Sequence, residues 1–521
     1  MKMFVSIFLL LMFFNVTTFA QTSTQPEVIY HLFQRSFYDS NGDTQGDLNG
    51  IDAKLDYLQD LGVNTILLLP LYKSVFYHNY FADDFEKIDD EYGSMQDYIN
   101  LVKTIHKHGM KIYLDMETQY VTEDHLWWKD SYNNLNSKYS DYILYDDSAH
   151  KQPSSIVFGV NGLTGYDNTF KKITTVNLKS KHVLDYNMKL FSYFADPNHD
   201  GKFDDGVDGF RLDHMMDALD YKPQLSNLFA DFWSPLFASL KKVNPKLIFT
   251  AEQANWFSYS FDYFTKGNVD RVFAFNLQMA IATFDKNKIA GAADTIFNQT
   301  PPNKTEVVFI ENHDMKRFAS RVDQSIDKEK IGAALNLLLG GVPSIYYGQE
   351  LGMTGGGKHF NSGDGNDIPQ REAFEWYASD SGKGMALWYK NSGPWWDSTN
   401  LKPNDGISLE EEKNDPNSLY NFYKTMIALH KSNKAVAYGK YITIKNDNDS
   451  VLTFMRVFQD KIIIVAINLS SLMQQTKINA ESQDVETGKV KLLMGDVQPA
   501  KDNNNLSFAL KPYDIEVWSV K

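Results

Sequence analysis

Starting at Val28, short β-branched or aliphatic runs alternate with longer amphipathic stretches, and this alternation limits the possible folds more than any other feature of the chain. Strands separated by crossover-length helices lie parallel and are covered on both faces. The candidate strands are Val28–Phe33, Thr65–Pro70, Lys111–Met116, Gly209–Asp213, Leu247–Ala251, Arg271–Asn276, Glu306–Glu311 and Val342–Tyr346. Among the stretches between them, Ile51–Leu61, Gln96–His108, Lys179–Phe194 and Ile331–Leu339 are long enough to be crossover helices. Eight such units in this order fit an α/β fold of the (β/α)8 TIM barrel type rather than an open doubly wound sheet.

Two segments interrupt the rhythm. Residues 121–176 are rich in Trp, Tyr, Asn, Asp and Ser without a clear period, which marks an inserted subdomain after strand 3. Gly355–Asn417, after the eighth strand, is a second long excursion, followed by a last helix at Leu419–His430. Beyond Val436 the pattern changes to short alternating strands at Tyr441–Lys445, Val451–Phe458 and Lys461–Asn468, separated by Asn/Asp turns. This pattern indicates a C-terminal antiparallel β-sandwich domain. The expected organisation is a signal peptide at 1–20, a barrel at 21–120 and 177–435, an inserted subdomain at 121–176 and the C-terminal domain at 436–521.

The N-terminus has Lys2, an apolar run from Met3 to Phe14, and then Asn15, Thr17 and Thr18 before Ala20. The run is short for a membrane span, and Thr18-Phe19-Ala20 offers the small residues of a cleavage site, so the expectation is export to the periplasm or medium. With no cysteine there is no disulfide framework, thiolate metal site or lipid-modified cysteine, and no membrane anchor is expected. A net charge of −15 argues against a nucleic-acid partner, because phosphate backbones are bound by clustered Lys and Arg.

Barrel enzymes carry their reactive groups at the C-terminal ends of the strands. Three acids occupy such ends: Asp213 closes Gly209–Asp213, Glu252 follows Leu247–Ala251, and Asp314 follows Ile310–His313. Retaining glycoside cleavage needs one carboxyl to protonate the departing oxygen and another about 5–5.5 Å away to attack the anomeric carbon. Each acid on its own is explained as well by a cap or by a pair with Arg211, Arg317 or Arg321; all three in phase with the strands are not.

These segments resemble the α-amylase family of glycoside hydrolases, in order and over almost the whole mature chain. Gly209-Phe210-Arg211-Leu212-Asp213 is similar to the family's nucleophile strand, Thr250-Ala251-Glu252 to its acid/base strand, and Asn312-His313-Asp314 to its transition-state-stabilising segment. Gly341–Glu350 resembles the eighth strand, and His78-Asn79-Tyr80-Phe81 with Asp84 resembles a second-strand loop whose Tyr stacks on the reacting sugar. The resemblance implies that Asp213 is the nucleophile, Glu252 the acid/base and Asp314 the stabiliser. It also implies substrate-binding roles for His78, Tyr80, Arg211 and His313, and a place for Arg371 in the cleft wall.

Two departures stand out. Where the family has Asp, three residues, then Asn-His, this chain has Asp115 followed by Gln119-Tyr120. The family's Asn binds a structural calcium and its His contacts the sugar; Tyr120 keeps a hydroxyl donor but cannot become cationic. After the nucleophile, Met216-Asp217 replaces a typical Lys-His pair. The better calcium site is Asp39–Asp47, where Asp39, Asn41, Asp43, the Gln45 carbonyl and Asp47 place oxygens at alternate positions around a Gly turn. Asp196–Asp205 has similar spacing without a bidentate Glu. The leading expectation is hydrolysis of α-1,4 links in starch-like glucans or maltooligosaccharides with structural Ca2+. An α-1,6- or disaccharide-specific glucosidase, a transglycosylase, and a non-catalytic glycan-binding protein on the same scaffold are the alternatives.

Overall fold

The computed structural model describes residues 25–357, 363–479, 490–502 and 505–520; the expected signal peptide at 1–20 lies outside them. Eight parallel strands close a barrel: β1 (Ile29–Leu32), β2 (Thr65–Leu68), β3 (Lys111–Met116), β4 (Gly209–Met215), β5 (Ile248–Gln253), β6 (Arg271–Phe273), β7 (Thr305–Val308) and β8 (Val342–Tyr346). Each pairs with its neighbours in sequence, and β1 pairs with β8 through Ile29↔Ser344. Because side chains alternate along a strand, one set fills the barrel and the other meets the helices. The filling set is apolar at mid-height, where Ile29, Leu67, Tyr113, Phe273, Val307 and Phe309 pack together. Below them Arg271 clamps Glu27 at 2.8 and 2.9 Å, and Tyr113 donates to Glu27 at 2.7 Å, closing the N-terminal end. One step above the apolar layer the same faces carry His31, Asp115, Arg211 and Glu252, all buried. The interior thus becomes polar toward the C-terminal rim.

The crossover helices begin where the sequence supplies caps. Ser94 and Asp97 form a reciprocal capping box for Met95–Lys107, Ser180 caps Lys181–Ala195, and Asp285 caps Lys286–Gln299. Three elements differ from the sequence expectation. The sixth strand stops at Phe273 because Phe275 turns inward to stack on Trp256 at 4.8 Å and starts the helix Phe275–Ile281. The seventh stops at Val308, beyond which the Glu311 carboxylate receives the Phe318 N–H and Arg317 and draws the chain out of the ladder. The stretch Ile51–Leu61 is two helices, Leu48–Asp52 and Leu55–Leu61, broken at Lys54, whose ammonium lies 4.1 Å over both the Tyr38 and Trp376 rings.

The insert after β3 is a small antiparallel sheet of Tyr120–Thr122, Phe170–Thr175 and Gly162–Thr164, with Phe170–Thr175 in the centre. A bridge between Ala82 and Val121 ties it to the loop after β2. The C-terminal domain has a five-stranded sheet of β9 (Lys440–Thr443), β10 (Val451–Phe458), β11 (Lys461–Asn468), β13 (Val490–Met494) and β16 (Ile515–Val520). A three-stranded sheet of β12 (Gln474–Asn479), β14 (Ala500–Asp502) and β15 (Asn505–Leu510) packs on it through Ile478, Leu506, Phe508 and Trp518. The opposite face, with Phe454, Val465 and Val517, is continuous with the barrel core, and Arg456 donates to the Leu339 carbonyl at 2.5 Å.

Candidate active site

A cavity of about 700 Å³ opens at the C-terminal rim, lined by residues of the barrel loops, the insert and the excursion after β8. Asp213, Glu252 and Asp314 all line it, from the end of β4, the end of β5 and the loop after β7. Arg211, two residues before Asp213 on the same face of β4, organises them. Its Nη1 donates to Asp213 Oδ1 at 2.6 Å and to Asp115 Oδ2 at 2.5 Å, and its Nη2 donates to Glu252 Oε2 at 2.5 Å. Arg211 is 1% exposed, so these bonds act with little solvent screening.

The acids are not electrostatically equivalent. Burial pushes the Glu252 carboxyl well above the usual carboxylate range; Arg211 opposes this, and Asp213 and Asp314 reinforce it. Trp256 donates to its other oxygen at 3.2 Å. Burial likewise raises Asp314 to about 6, against the pull of Arg371, whose Nη2 donates to Asp314 Oδ1 at 2.9 Å. Asp115, fully buried behind the site, is raised to about 8 by burial despite Arg211.

The expected sugar-binding residues fall around these acids. Tyr80 and His313 stack at 5.4 Å with their planes 8° apart, and the Tyr80 hydroxyl lies 2.7 Å from both Asp115 Oδ2 and His313 Nε2. Burial holds His313 well below the usual histidine value, and the nearby His31 and Arg211 act in the same direction, so its ring is neutral at pH 7. His78 accepts the Tyr80 N–H on Nδ1 at 3.0 Å and bonds Asp364 through Nε2 at 2.8 Å. Arg371 reaches Asp314, the His313 carbonyl and the Tyr77 hydroxyl.

The departing residues on the β3 side form a different wall. Gln119 Nε2 donates to the Asp213 carbonyl at 2.6 Å, and its Oε1 accepts the Thr118 N–H. Tyr120 lines the cavity with its ring, but its hydroxyl donates to Asp220 Oδ1 at 2.5 Å and so faces a protein partner. Asp217 accepts the Phe229 N–H at 2.8 Å, and the Met216 carbonyl accepts Trp233 Nε1 at 3.1 Å; both are structural and outside the cavity lining.

Residues that sequence reasoning did not place here are Glu117, Phe158, Tyr221, Trp256, Phe257 and Asp364, all in the lining. Phe158, Phe257 and Tyr221 are 95%, 82% and 70% exposed, leaving aromatic faces open at the mouth. They lie in loops and short 3-10 turns with no hydrophobic period to reveal their direction. Glu117 was readable as an acid two residues after Asp115. Trp127, Trp128 and Trp395 are buried in the core rather than presented to the cavity.

In the Asp39–Asp47 loop, Asp39 accepts the N–H groups of Asn41, Gly42 and Thr44, while Asn41 and Asp43 accept those of Asp43 and Gln45. The Gln45 side chain is engaged by Arg35 and Glu91, so its main-chain carbonyl is the atom it can offer a cation. Asp47 bonds Ser40 and caps the helix Leu48–Asp52 through the Gly50 N–H. The carboxylate and amide oxygens of Asp39, Asn41, Asp43 and Asp47 are of the kind a hard cation takes.

Residues 31–439 match the family profile described as alpha amylase, catalytic domain, and residues 441–517 match that of maltogenic amylase, C-terminal domain. The chain is 28% identical over 520 residues to alpha-amylase 3 of Dictyoglomus thermophilum, covering 95% of this chain and 97% of that protein. It is 26% identical over 560 residues to an oligo-1,6-glucosidase of Parageobacillus thermoglucosidasius, covering 95% and 98%. The crystal structure of an alpha-amylase from H. orenii superposes with a TM-score of 0.78 at 27% identity, covering 96% of this chain and all of that one.

Proposed function

The chain belongs to the α-amylase family of glycoside hydrolases, and from that premise we propose that it hydrolyses α-1,4-glucosidic links of starch-like glucans or maltooligosaccharides with retention at the anomeric carbon. The observation that carries this reading is that one guanidinium, Arg211, holds both Asp213 and Glu252. Inverting enzymes keep their carboxyls about 6.5–9.5 Å apart to admit a water, whereas retaining ones bring them to about 5–5.5 Å. Carboxyls sharing one guanidinium suit the shorter spacing.

In the first step Asp213 attacks the anomeric carbon while Glu252 transfers its proton to the departing glycosidic oxygen, leaving a glycosyl ester on Asp213. Glu252 enters as the acid because its environment keeps the proton on. Its carboxylate then takes a proton from water as that water's oxygen attacks the same carbon, which frees Asp213 and restores the acid. Asp314, as an anion, opposes the positive charge that develops on the ring, and neutral His313 supplies hydrogen bonding beside it.

One observation favours a second reading, attack on shorter substrates from a chain end. The His78–Asp364 pair ties the excursion after β8 to the loop after β2, and Gly363, where a Cβ would come within 3.2 Å of Leu163, brings it against the insert at one side of the cavity. Product analysis separates the two. The test incubates wild type and Asp213→Asn with starch, pullulan, maltotriose, trehalose and sucrose in the presence of calcium. The expected result is reducing sugar from starch and maltotriose, α-configured when first released, and none with Asp213→Asn. No release from any of the five would overturn the reading; glucose alone from the first time points would select end attack.

We also propose that Asp39, Asn41, Asp43, the Gln45 carbonyl and Asp47 hold a structural Ca2+. The cation would pin the loop after β1 and take no part in bond cleavage. Export to the periplasm or medium is proposed from Lys2, the apolar run Met3–Phe14 and the small residues before position 21. Among the described residues no helix is long and apolar enough to cross a membrane.

A further inference from the structure

Glu117 lies two residues beyond Asp115, where β3 has ended and the chain turns along the cavity wall. Its side chain is 1% exposed and lines the cavity. One oxygen is tethered: Oε1 accepts the Gln119 N–H at 2.5 Å. The other, Oε2, is buried and has no hydrogen-bond partner among the described residues. Tyr120, the other cavity-lining residue of this turn, has already given its hydroxyl to Asp220, and Gln119 has given its amide to Asp213 and Thr118. Of the two cavity-lining residues of this turn, Glu117 therefore keeps an unpaired side-chain oxygen at the wall. Buried polar atoms are rarely left unpaired, and one fixed at the edge of a substrate cavity finds its partner when the cavity fills.

We propose that Glu117 Oε2 hydrogen-bonds one hydroxyl of the glycosyl unit held against Asp213, making Glu117 a specificity-determining residue of this site. The proposal rests on the glucosidase reading above. A neutral sugar is the fitting ligand because Asp115, Asp213, Glu252 and Asp314 already crowd the site, and a further full charge is disfavoured. Burial, followed by the charge of Asp213, holds the Glu117 carboxyl well above the usual carboxylate range. An uncharged carboxyl can either donate to a hydroxyl or accept from it.

The test measures kcat/KM for wild type, Glu117→Gln and Glu117→Leu on an aryl α-glucoside and on its 2-, 3-, 4- and 6-deoxy analogues. Glu117→Leu should lower kcat/KM on the parent about 10- to 100-fold, while Glu117→Gln, which keeps a neutral polar group there, stays within about threefold. At one ring position the penalty for the missing hydroxyl should vanish in Glu117→Leu, since the partner of that hydroxyl is gone. If Glu117→Leu loses the same factor on every analogue with each deoxy penalty intact, the residue merely supports the Gln119 turn and the proposal fails. An unchanged Glu117→Leu overturns it too. Should Glu117→Leu not fold, Glu117→Ala reads the same coupling. A wild type that releases nothing from the glucosides and no reducing sugar from starch or maltotriose overturns the hydrolase reading itself; an active wild type without coupling overturns only the role of Glu117.

Discussion

Replacing Arg371 with Gln removes the cation that restrains Asp314 while leaving an amide to face Tyr77 and the His313 carbonyl. Asp314 works as an anion, so its contribution is present above its pKa and lost as pH falls through it. Burial places that value at about 6, with Arg371 the largest opposing influence through a 2.9 Å bond. A charge-assisted hydrogen bond of this kind is worth about 1.5–3 kcal/mol, or about one to two pH units at 1.36 kcal/mol per unit. Asp314 should then titrate near 7 to 8, its ionised fraction at pH 7 dropping from about nine-tenths to roughly a tenth to a half. The variant should lose about tenfold to nearly a hundredfold in kcat/KM at pH 5.5, but less than about twofold from this cause at pH 8.5. The burial that raises the Glu252 carboxyl is unchanged in the variant, so the basic limb should hold its place. The assay is kcat/KM on a chromogenic maltooligosaccharide from pH 4.5 to 9. Profiles for wild type and Arg371→Gln that run parallel on a logarithmic scale would refute the electrostatic role and leave Arg371 as a wall residue only.

Three further outcomes follow from the same geometry. Glu252→Gln should lower kcat on glucans by about 10²–10⁴, and by less in glycosyl transfer from an aryl glucoside whose leaving group needs no proton; equal losses in pre-steady-state bursts on both would remove Glu252 as the acid. Gln119→Leu cuts the bond to the Asp213 carbonyl and strands the Thr118 N–H, so denaturant titration should show a loss of about 1–3 kcal/mol accompanied by a fall in kcat; unchanged stability and kcat would contradict that link. Calcium at about a hundred times its Kd should add about 2.7 kcal/mol to the stability of the wild type relative to EDTA, and nothing to an Asp39→Ala, Asp43→Ala variant; identical melts of wild type in calcium and EDTA would remove the cation from the loop.

The barrel was legible because its strands are short, aliphatic and evenly interleaved with capped helices, so an error of a residue or two at an end left the order intact. Asp213 and Glu252 were legible for the same reason: a period of two puts the side chain at a strand's C-terminal end on the inner face, and Asp213 lies in phase with Arg211 there. Asp314 lies in the loop beyond the end of β7 at Val308, and only the resemblance of Asn312-His313-Asp314 to a family segment marked it. Their setting was less so. That Arg371 joins Asp314 across 57 positions, or that Asp364 meets His78, depends on how an aperiodic excursion folds back over the rim. The sixth and seventh strands ended early because of Phe275 and Glu311, whose partners Trp256 and Phe318 lie on other turns of the chain.

Gln119 and Tyr120 show how a substitution can be visible while its consequence is not. Compared one position at a time with an Asn and a His, they suggest a site that has lost a cation and a sugar contact. In the folded chain they belong to a set. Buried Tyr120 needs an acceptor for its hydroxyl and finds Asp220, which His214 and Lys222 also approach, at 3.4 and 3.1 Å. Gln119 needs partners for its amide and finds the Asp213 carbonyl, a direct bond between the β3 loop and the nucleophile strand. Its own N–H then fixes Glu117, a cavity-lining residue whose remaining oxygen is unpaired. Changing Gln119 strands the Thr118 N–H, and changing Glu117 strands the Gln119 N–H. That coupling separates a rebuilt wall from a decayed one, and it places the search for this enzyme's preferred sugar at Glu117 rather than at the two residues that first looked unusual.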